Sequence, residues 1–591
     1  MALLHINSLC SYLLLALVSS RAAQIPLVHQ TNSNPSTGTK WRFDVPISAE
    51  NTTSNWIFDG VSSLLQQWAN TRYRNNHNVV PATVPIGTIL YHGRPDHVFP
   101  TEPEWLATDP EHGYIFCRAQ TPGVGCWMLT LAVTRPLKVL YFDGSSAAKM
   151  AGSLDVQDLI AFGDAKPEHT WREYDRIMNL CEWGKKYGLD GFVRMEMDFE
   201  IMLCDFTKGL ETVSFLNLVS SSSPGPPLPP SQPPRVKLWS PGYRVLEAGQ
   251  WHNNFPGETR INLDLTRLIT FYDPELFPGL ADARREQERW EHRVVDITKG
   301  ELENFLHRLD DVLTGEPVSG SGVDWSSLYR VVIHRYSSRL EVLQYMFSDE
   351  YLAEPDSVEE RTRRKKELAE DAHEYVTSML SPYILHNVFP PASSRKSSLP
   401  FEWATPIFEM CATTHTKSIS KSSILTYSER LLLQSVKEVL HEICRVLVGV
   451  WAEGIEARFK KPGYEDLPDF GHESLAISWG QKINALNTWL DWGVWVKCKP
   501  ACSFEETCYL PTWPYFTRMN GRYPTPSFTD RFPEDVRLQW MQELLNFEDT
   551  EEVRQQRGIL TQYDQEPEWV RPKPRCIRRV TPVGIPWTSE R

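Results

Sequence analysis

An export leader followed by an even number of cysteines constrains this chain more than any other feature. It begins Met1-Ala2-Leu3-Leu4-His5 and stays apolar from Leu9 to Val18. That run of about ten residues matches a signal h-region, not a ~20-residue membrane span. Ser20-Arg21-Ala22 then places small residues where signal peptidase reads, so cleavage is expected near Ala22 or Ala23, with residues 1–22 as the signal peptide. An uncleaved anchor is the alternative. Of 11 cysteines, Cys10 leaves with the leader, and Cys117, Cys126, Cys181, Cys204, Cys411, Cys444, Cys498, Cys502, Cys508 and Cys576 remain. An even set in an oxidising compartment predicts disulfides. Four are early and six late. The late spacing Cys498-x3-Cys502-x5-Cys508 resembles a small disulfide knot more than a zinc site, whose ligands usually come as two close pairs. Connectivity stays open at this level, and no metal is expected.

The same compartment makes Asn51-Thr52-Thr53 a glycosylation sequon, while Pro35 excludes Asn34-Pro35-Ser36. Val446 to Trp451 is apolar but brief, and Glu442 and Glu453 flank it, so no integral membrane segment is expected after signal cleavage. The expected location is the secretory lumen or the cell exterior. The net charge of -14 argues against a nucleic-acid partner, which calls for a basic face.

At 591 residues, with 41% apolar residues and 21 tryptophans, the chain has material for two or three cored domains. The clearest seam is Ser220 to Pro234, serines followed by dense prolines, which form neither helix nor internal sheet. Four segments follow: leader 1–22, an α+β domain 46–219, a Ser/Pro-rich linker 220–235, and a mainly helical, cysteine-containing domain 236–591. Before the seam, apolar spacing predicts helices over Trp56 to Tyr73 and Trp171 to Tyr187. Strand-like runs cover Thr88–His92, Gly113–Cys117, Trp127–Val133, Leu137–Phe142 and Phe192–Asp205. After it, apolar stripes predict helices over Asp324–Phe347, Val358–Leu385, Ser428–Phe459, Ser474–Val496 and Pro533–Phe547, with Asp324 and Ser428 as N-caps. Trp489, Trp492 and Trp495 fall at helical spacing and read as core.

Four segments of the first half stand in a suggestive order: Gly87-Thr88-Ile89-Leu90-Tyr91-His92-Gly93-Arg94, then Trp105-Leu106-Ala107-Thr108-Asp109-Pro110, then Leu129 through Leu137, then Gly188-Leu189-Asp190-Gly191 leading to Phe199-Glu200-Ile201. In that order they resemble the His-Tyr-Glu branch of the ADP-ribosyltransferase superfamily. There a strand reads roughly Leu-Tyr-His-Gly-Thr, a later segment Trp-Phe-Ala-Thr-Asp-Pro, a strand ends in Asn-Pro-Leu, and a last strand brings a Glu. Arg94 stands where the family usually has Thr or Ser. The resemblance covers residues 50 to 215 and implies a split sheet binding NAD in a cleft. It implies that His92 contacts the adenosine-side ribose, with close backbone approach at Gly93. Tyr114 would stack on nicotinamide. Glu200 would hold the nicotinamide-side ribose and offset developing positive charge, with Asp198 orienting the acceptor. His92, Tyr114 and Glu200 should then line one cleft.

The implied activity is NAD-dependent ADP-ribosyl transfer or NAD glycohydrolysis, toward a protein or small-molecule acceptor that the sequence leaves open. A secreted structural or interaction protein on a degenerate version of the fold is the alternative. A lesser one is a barrel glycoside hydrolase, with paired carboxylates between Asp190 and Glu200. The leader, Leu140-Tyr141-Phe142-Asp143-Gly144-Ser145-Ser146 and the Cys-Pro-Trp-rich end also resemble a widespread type of secreted fungal protein, which implies no particular activity.

Overall fold

Leu137, Val139 and Tyr141 alternate with Lys138, Leu140 and Phe142, and nearly all six are buried. A strand apolar on both sides needs cover on both faces, and that requirement organises the molecule. The structure is a computed structural model describing residues 41–47, 52–117, 126–170, 172–218, 241–315, 320–352, 357–391, 400–422, 424–457, 472–512 and 571–579. The leader, Asn51, the Ser/Pro-rich linker and the expected helix 533–547 lie outside the described residues.

The strands are β1 Asn78–Val84, β2 Ile89–Arg94, β3 Glu104–Ala107, β4 Cys126–Val133, β5 Leu137–Phe142, β6 Gly191–Met195, β7 Phe199–Leu203, β8 Leu210–Leu218, β9 Asn262–Leu263 and β10 Ile269–Thr270. They form one curled, half-barrel sheet in the order β10-β1-β5-β6-β7-β3-β2-β4-β8, with β9 also on β1. Its pairs are antiparallel except β5 with β6. The glycoside-hydrolase reading needs eight parallel strands, so this sheet is not its barrel. Nor does the sheet end at residue 219: β9 and β10, from beyond the linker, complete its β1 edge.

On one face, Leu140, Phe142, Phe192 and Met202 pack against α3 (Asp155–Ala161) and α4 (Glu173–Gly184). On the other, Val139, Tyr141, Val193 and Ile201 join α1 (Ser54–Ser62) and the helical second half. That half contains α7 (Trp325–Met346), α8 (Val358–Leu380), α9 (Thr405–Thr413), α10 (Tyr427–Glu456) and α11 (His472–Leu490). Asp324 caps α7, accepting from Ser327 N at 2.9 Å. The α10 cap is Thr426, not Ser428, because Thr426 and Glu429 form a capping box. Trp492 is buried, and Trp489 and Trp495 pack against the same core. Gly113–Cys117 is not a strand. Pro110 opens a short helix, α2 (Pro110–Tyr114), that lies over β2. Beyond the linker, α5 (Pro241–Gly249) rests on α2, and α6 (Lys299–Thr314) completes the second core.

The ten cysteines other than Cys10 all pair: Cys117–Cys126, Cys181–Cys204, Cys411–Cys444, Cys498–Cys508 and Cys502–Cys576. Early cysteines pair with early and late with late. Cys502–Cys576 and Cys498–Cys508 staple the ribbon of Glu506–Tyr509 with Arg575–Arg578. Among the described residues no helix is long and apolar enough to cross a membrane. Cys411–Cys444 joins α9 to the central helix α10 across 33 residues. Replacing both by Ser is expected to lower the unfolding free energy by about 2–4 kcal/mol, read from urea denaturation, and an unchanged midpoint contradicts this.

Candidate functional site

Strand register decides which side chains of the candidate set meet. Glu200 on β7 stands opposite Ala107 on β3 and Arg194 on β6, and Ala107 stands opposite Tyr91 on β2. Directly opposed residues project to the same face, so Tyr91, Ala107, Arg194 and Glu200 share the face that α2, α3 and α4 cover. His92 follows Tyr91 and therefore points to the opposite face. There its Nδ1 lies 2.7 Å from the Trp105 carbonyl and its Nε2 2.9 Å from Glu104 Oε2, with Phe206 edge-on. Arg94, beside it, pairs with Glu104 and Asp96.

Gly93 permits a close approach, but of protein. A Cβ there would fall 2.1 Å from the Gly113 carbonyl of α2. Tyr114 is partly exposed and packs with Tyr91 against Met128 and the Cys117–Cys126 bridge. The structure thus places Tyr114 and Glu200 on one face and His92 on the other. The single His92–Tyr114–Glu200 cleft is not formed, because a strand sends adjacent residues to opposite sides.

Glu200 is not a solvent-facing strand position; it is 5% exposed. Its Oε1 accepts from Arg194 Nε at 2.6 Å, and its Oε2 lies 4.0 Å from Nε2 of the fully buried His112, beyond hydrogen-bond reach. Arg194 also donates to Glu173 and, at 3.2 Å, to Gln157. Glu173 further contacts Lys149 Nζ at 3.2 Å and Arg176, whose Nε reaches Asp158 at 2.7 Å. Burial works against ionised Glu173, yet Arg194, Lys149 and Arg176 hold it well below the usual carboxylate range. Asp158 goes the other way: burial outweighs Arg176 and pushes it up to about 6.

Asp198 sits in the turn entering β7, fully buried. Its Oδ1 accepts from Phe199 N at 2.8 Å and lies 3.5 Å from His252 Nε2. His252 follows α5, and two further carboxylates face the same nitrogen: Glu258 Oε2 at 3.2 Å and Asp109 Oδ2 at 3.6 Å. Arg260 braces both, with Nη2 2.7 Å from Asp109 Oδ2 and Nε 2.7 Å from Glu258 Oε1, and it also donates to the Thr108 carbonyl. Asp109 occupies the N-cap of α2 without capping it. Burial alone would lower His252, but its contacts with Asp109 and Asp198 and the charge of Glu258 push it up to about 10. His252, Glu258 and Arg260 escape a sequence reading because only the fold brings them to Asp109. The local signal is a polar stretch, Trp251 to Arg260, around the Pro256-Gly257 turn.

Residues 120–232 match a family described as the YPL277C N-terminal domain. That stretch carries Arg194, Asp198 and Glu200 but not Asp109 or His252. Two proteins of Saccharomyces cerevisiae are similar, each 30% identical over 29% of this chain: uncharacterized proteins YOR389W and YPL277C, covered over 34% and 44% of their lengths. The chain therefore aligns with less than half of either relative. No solved structure matches.

Arg194→Met is expected to strand the buried Glu200 carboxylate, while Glu173 keeps Lys149 and Arg176, and to lower the unfolding free energy by about 3–5 kcal/mol. A loss under about 1 kcal/mol, the range of an exposed pair, contradicts the network. Asp158 gives a pH signature. Its folded value, about 6, lies above its ordinary 3.8. Its contribution is therefore full below pH 3.8 and lost as pH rises through about 6. The stability of wild type relative to Asp158→Asn should fall over that window in urea titrations, and a difference that grows with pH contradicts the assignment.

Proposed function

We propose that the chain is a secreted, disulfide-stapled interaction protein on a degenerate ADP-ribosyltransferase-like frame, without NAD turnover at its His92–Tyr114–Glu200 positions. The resemblance is supported by strand order. The strands carrying His92, Trp105 to Ala107 and Glu200 are neighbours, β2-β3-β7, as a shared site requires. One observation carries the loss of catalysis: the Glu200 carboxylate is held by buried Arg194. A carboxylate that offsets an oxocarbenium charge must have that charge to offer, and here a guanidinium already takes it. His92 on the opposite face and the Gly113 carbonyl over Gly93 support the same reading. Secretion is supported by the five disulfides and the apolar leader.

The enzymatic reading, with NAD as substrate and Glu200 and Asp198 as catalytic groups, has one observation in its favour: Glu200 and the helix bearing Tyr114 share a face. Nicotinamide release from NAD by purified protein separates the two. Wild type and Glu200→Gln should both stay at the buffer background. Release by wild type that Glu200→Gln abolishes contradicts the proposal and restores Glu200 as a catalytic residue.

A further inference from the structure

We propose that Asp109, His252 and Glu258, backed by Asp198, form a binding site for one first-row divalent metal ion of the zinc or manganese type. This site lies apart from the Arg194–Glu200 pair and does not depend on the ADP-ribosyltransferase resemblance.

Glu258 Oε2, Asp198 Oδ1 and Asp109 Oδ2 surround His252 Nε2 at 3.2, 3.5 and 3.6 Å. None is placed to accept a hydrogen bond from the ring, because Nε2 has no hydrogen-bond partner among the described residues. One N–H points at one acceptor, so three carboxylates around one nitrogen are more than a proton can serve. Donor atoms around a tetrahedral ion with bonds near 2.0–2.2 Å stand roughly 3.3 Å from one another, close to the three distances from His252 Nε2. Ligand-capable atoms of Asp109, His252 and Glu258 all lie within 4.8 Å of each other.

Asp198 supplies an independent sign. It is fully buried, its Oδ1 is turned to His252, and its Oδ2 has no hydrogen-bond partner. A buried carboxylate oxygen without a donor is costly, and a cation beside it removes that cost. Asp109 adds a third sign. It stands at a helix N-cap, where Asp normally accepts a backbone N–H, yet its carboxylate turns into the cluster instead.

The donor set selects the ion. One imidazole with carboxylates suits zinc or manganese, whereas calcium and magnesium prefer all-oxygen shells. Arg260 is an outer brace. Its Nη2 donates to Asp109 Oδ2 and Glu258 Oε2, the oxygens that face His252, and its Nε to Glu258 Oε1, so it fixes their orientation while sharing those oxygens. The site opens to solvent on the Asp109 side, where the side chain is 22% exposed, so an ion has a route in. Binding takes the neutral imidazole, so metal entry displaces any proton that His252 carries.

The test uses full-length protein without a histidine tag, stripped with chelator and dialysed against ZnCl2 or MnCl2, with MgCl2 and CaCl2 as parallel arms. Bound metal is counted by mass spectrometry and affinity by calorimetry. The expected result is about one zinc or manganese ion per chain, a raised melting midpoint, and at least roughly 10-fold weaker binding in Asp109→Asn. Glu258→Gln should behave alike, and it decides the question if Asp109→Asn fails to fold. Retention of neither zinc nor manganese by wild type overturns the proposal, as does undiminished binding in the folded variant. Binding of magnesium or calcium alone overturns it too. In each of those cases the cluster is a salt-bridged joint around a protonated His252.

Discussion

The guanidinium of Arg194 is the constraint on which the first half of the molecule turns. It is essentially fully buried between Glu173 of α4 and Glu200 of β7. A charge in that position persists only if its partners are fixed around it. The consequence is architectural: α4 is tied to the centre of the sheet, and the helix–sheet interface carries a polar seam through an apolar core. The consequence is also chemical. The carboxylate that a catalytic reading of the sequence would choose is the one that neutralises the seam. One register, with Arg194 opposite Glu200, thus sets both the fold of this face and the loss of a free acidic group.

The other face of the sheet is continuous with the helical half. The apolar cluster that includes Val139, Val193 and Ile201 runs on through Phe58 and Tyr329 to Leu440 and Trp492. Polar joints reinforce it. Asp59 pairs with Arg72 at 3.0 Å and with Arg289 at 2.8 Å, and Arg289 reaches Asp491 at 3.1 Å, bringing three distant stretches of chain to one point. The disulfides act locally within this frame, each stapling elements of its own half. The sheet draws β9 and β10 from beyond the linker, so the boundary at the Ser/Pro-rich stretch does not separate two cores.

Much of this was legible in the sequence, and the exceptions have physical causes. Leu137–Phe142 is a strand with the expected ends, because β-branched and aromatic residues between turn residues admit little else. Among the described residues the long helices fall where their apolar stripes place them, and their ends shift with the caps, as Thr426 does by competing with Ser428. Gly113–Cys117 looks apolar enough for a strand, but Pro110 after Asp109 starts a helix that runs into it. Glu200 and Tyr114 stand together in the sequence-derived set and share a face of the sheet. Their separation from His92 was not legible, since which face a strand residue takes depends on its pairing partners. The Asp109–His252–Glu258 cluster was invisible for a related reason: its members come from both sides of the linker, and no linear spacing encodes their meeting.

Arg194 and Glu200 act as one buried pair, and a double-mutant cycle of Arg194→Met and Glu200→Gln in urea denaturation tests this most directly. Residues in one buried ion network couple by about 0.5–3 kcal/mol, and the burial of this pair places the expected value in the upper half of that range. A coupling within about 0.3 kcal/mol of zero would mean that the two side chains are energetically independent. The Glu200 carboxylate would then be free for chemistry, and the account would be contradicted.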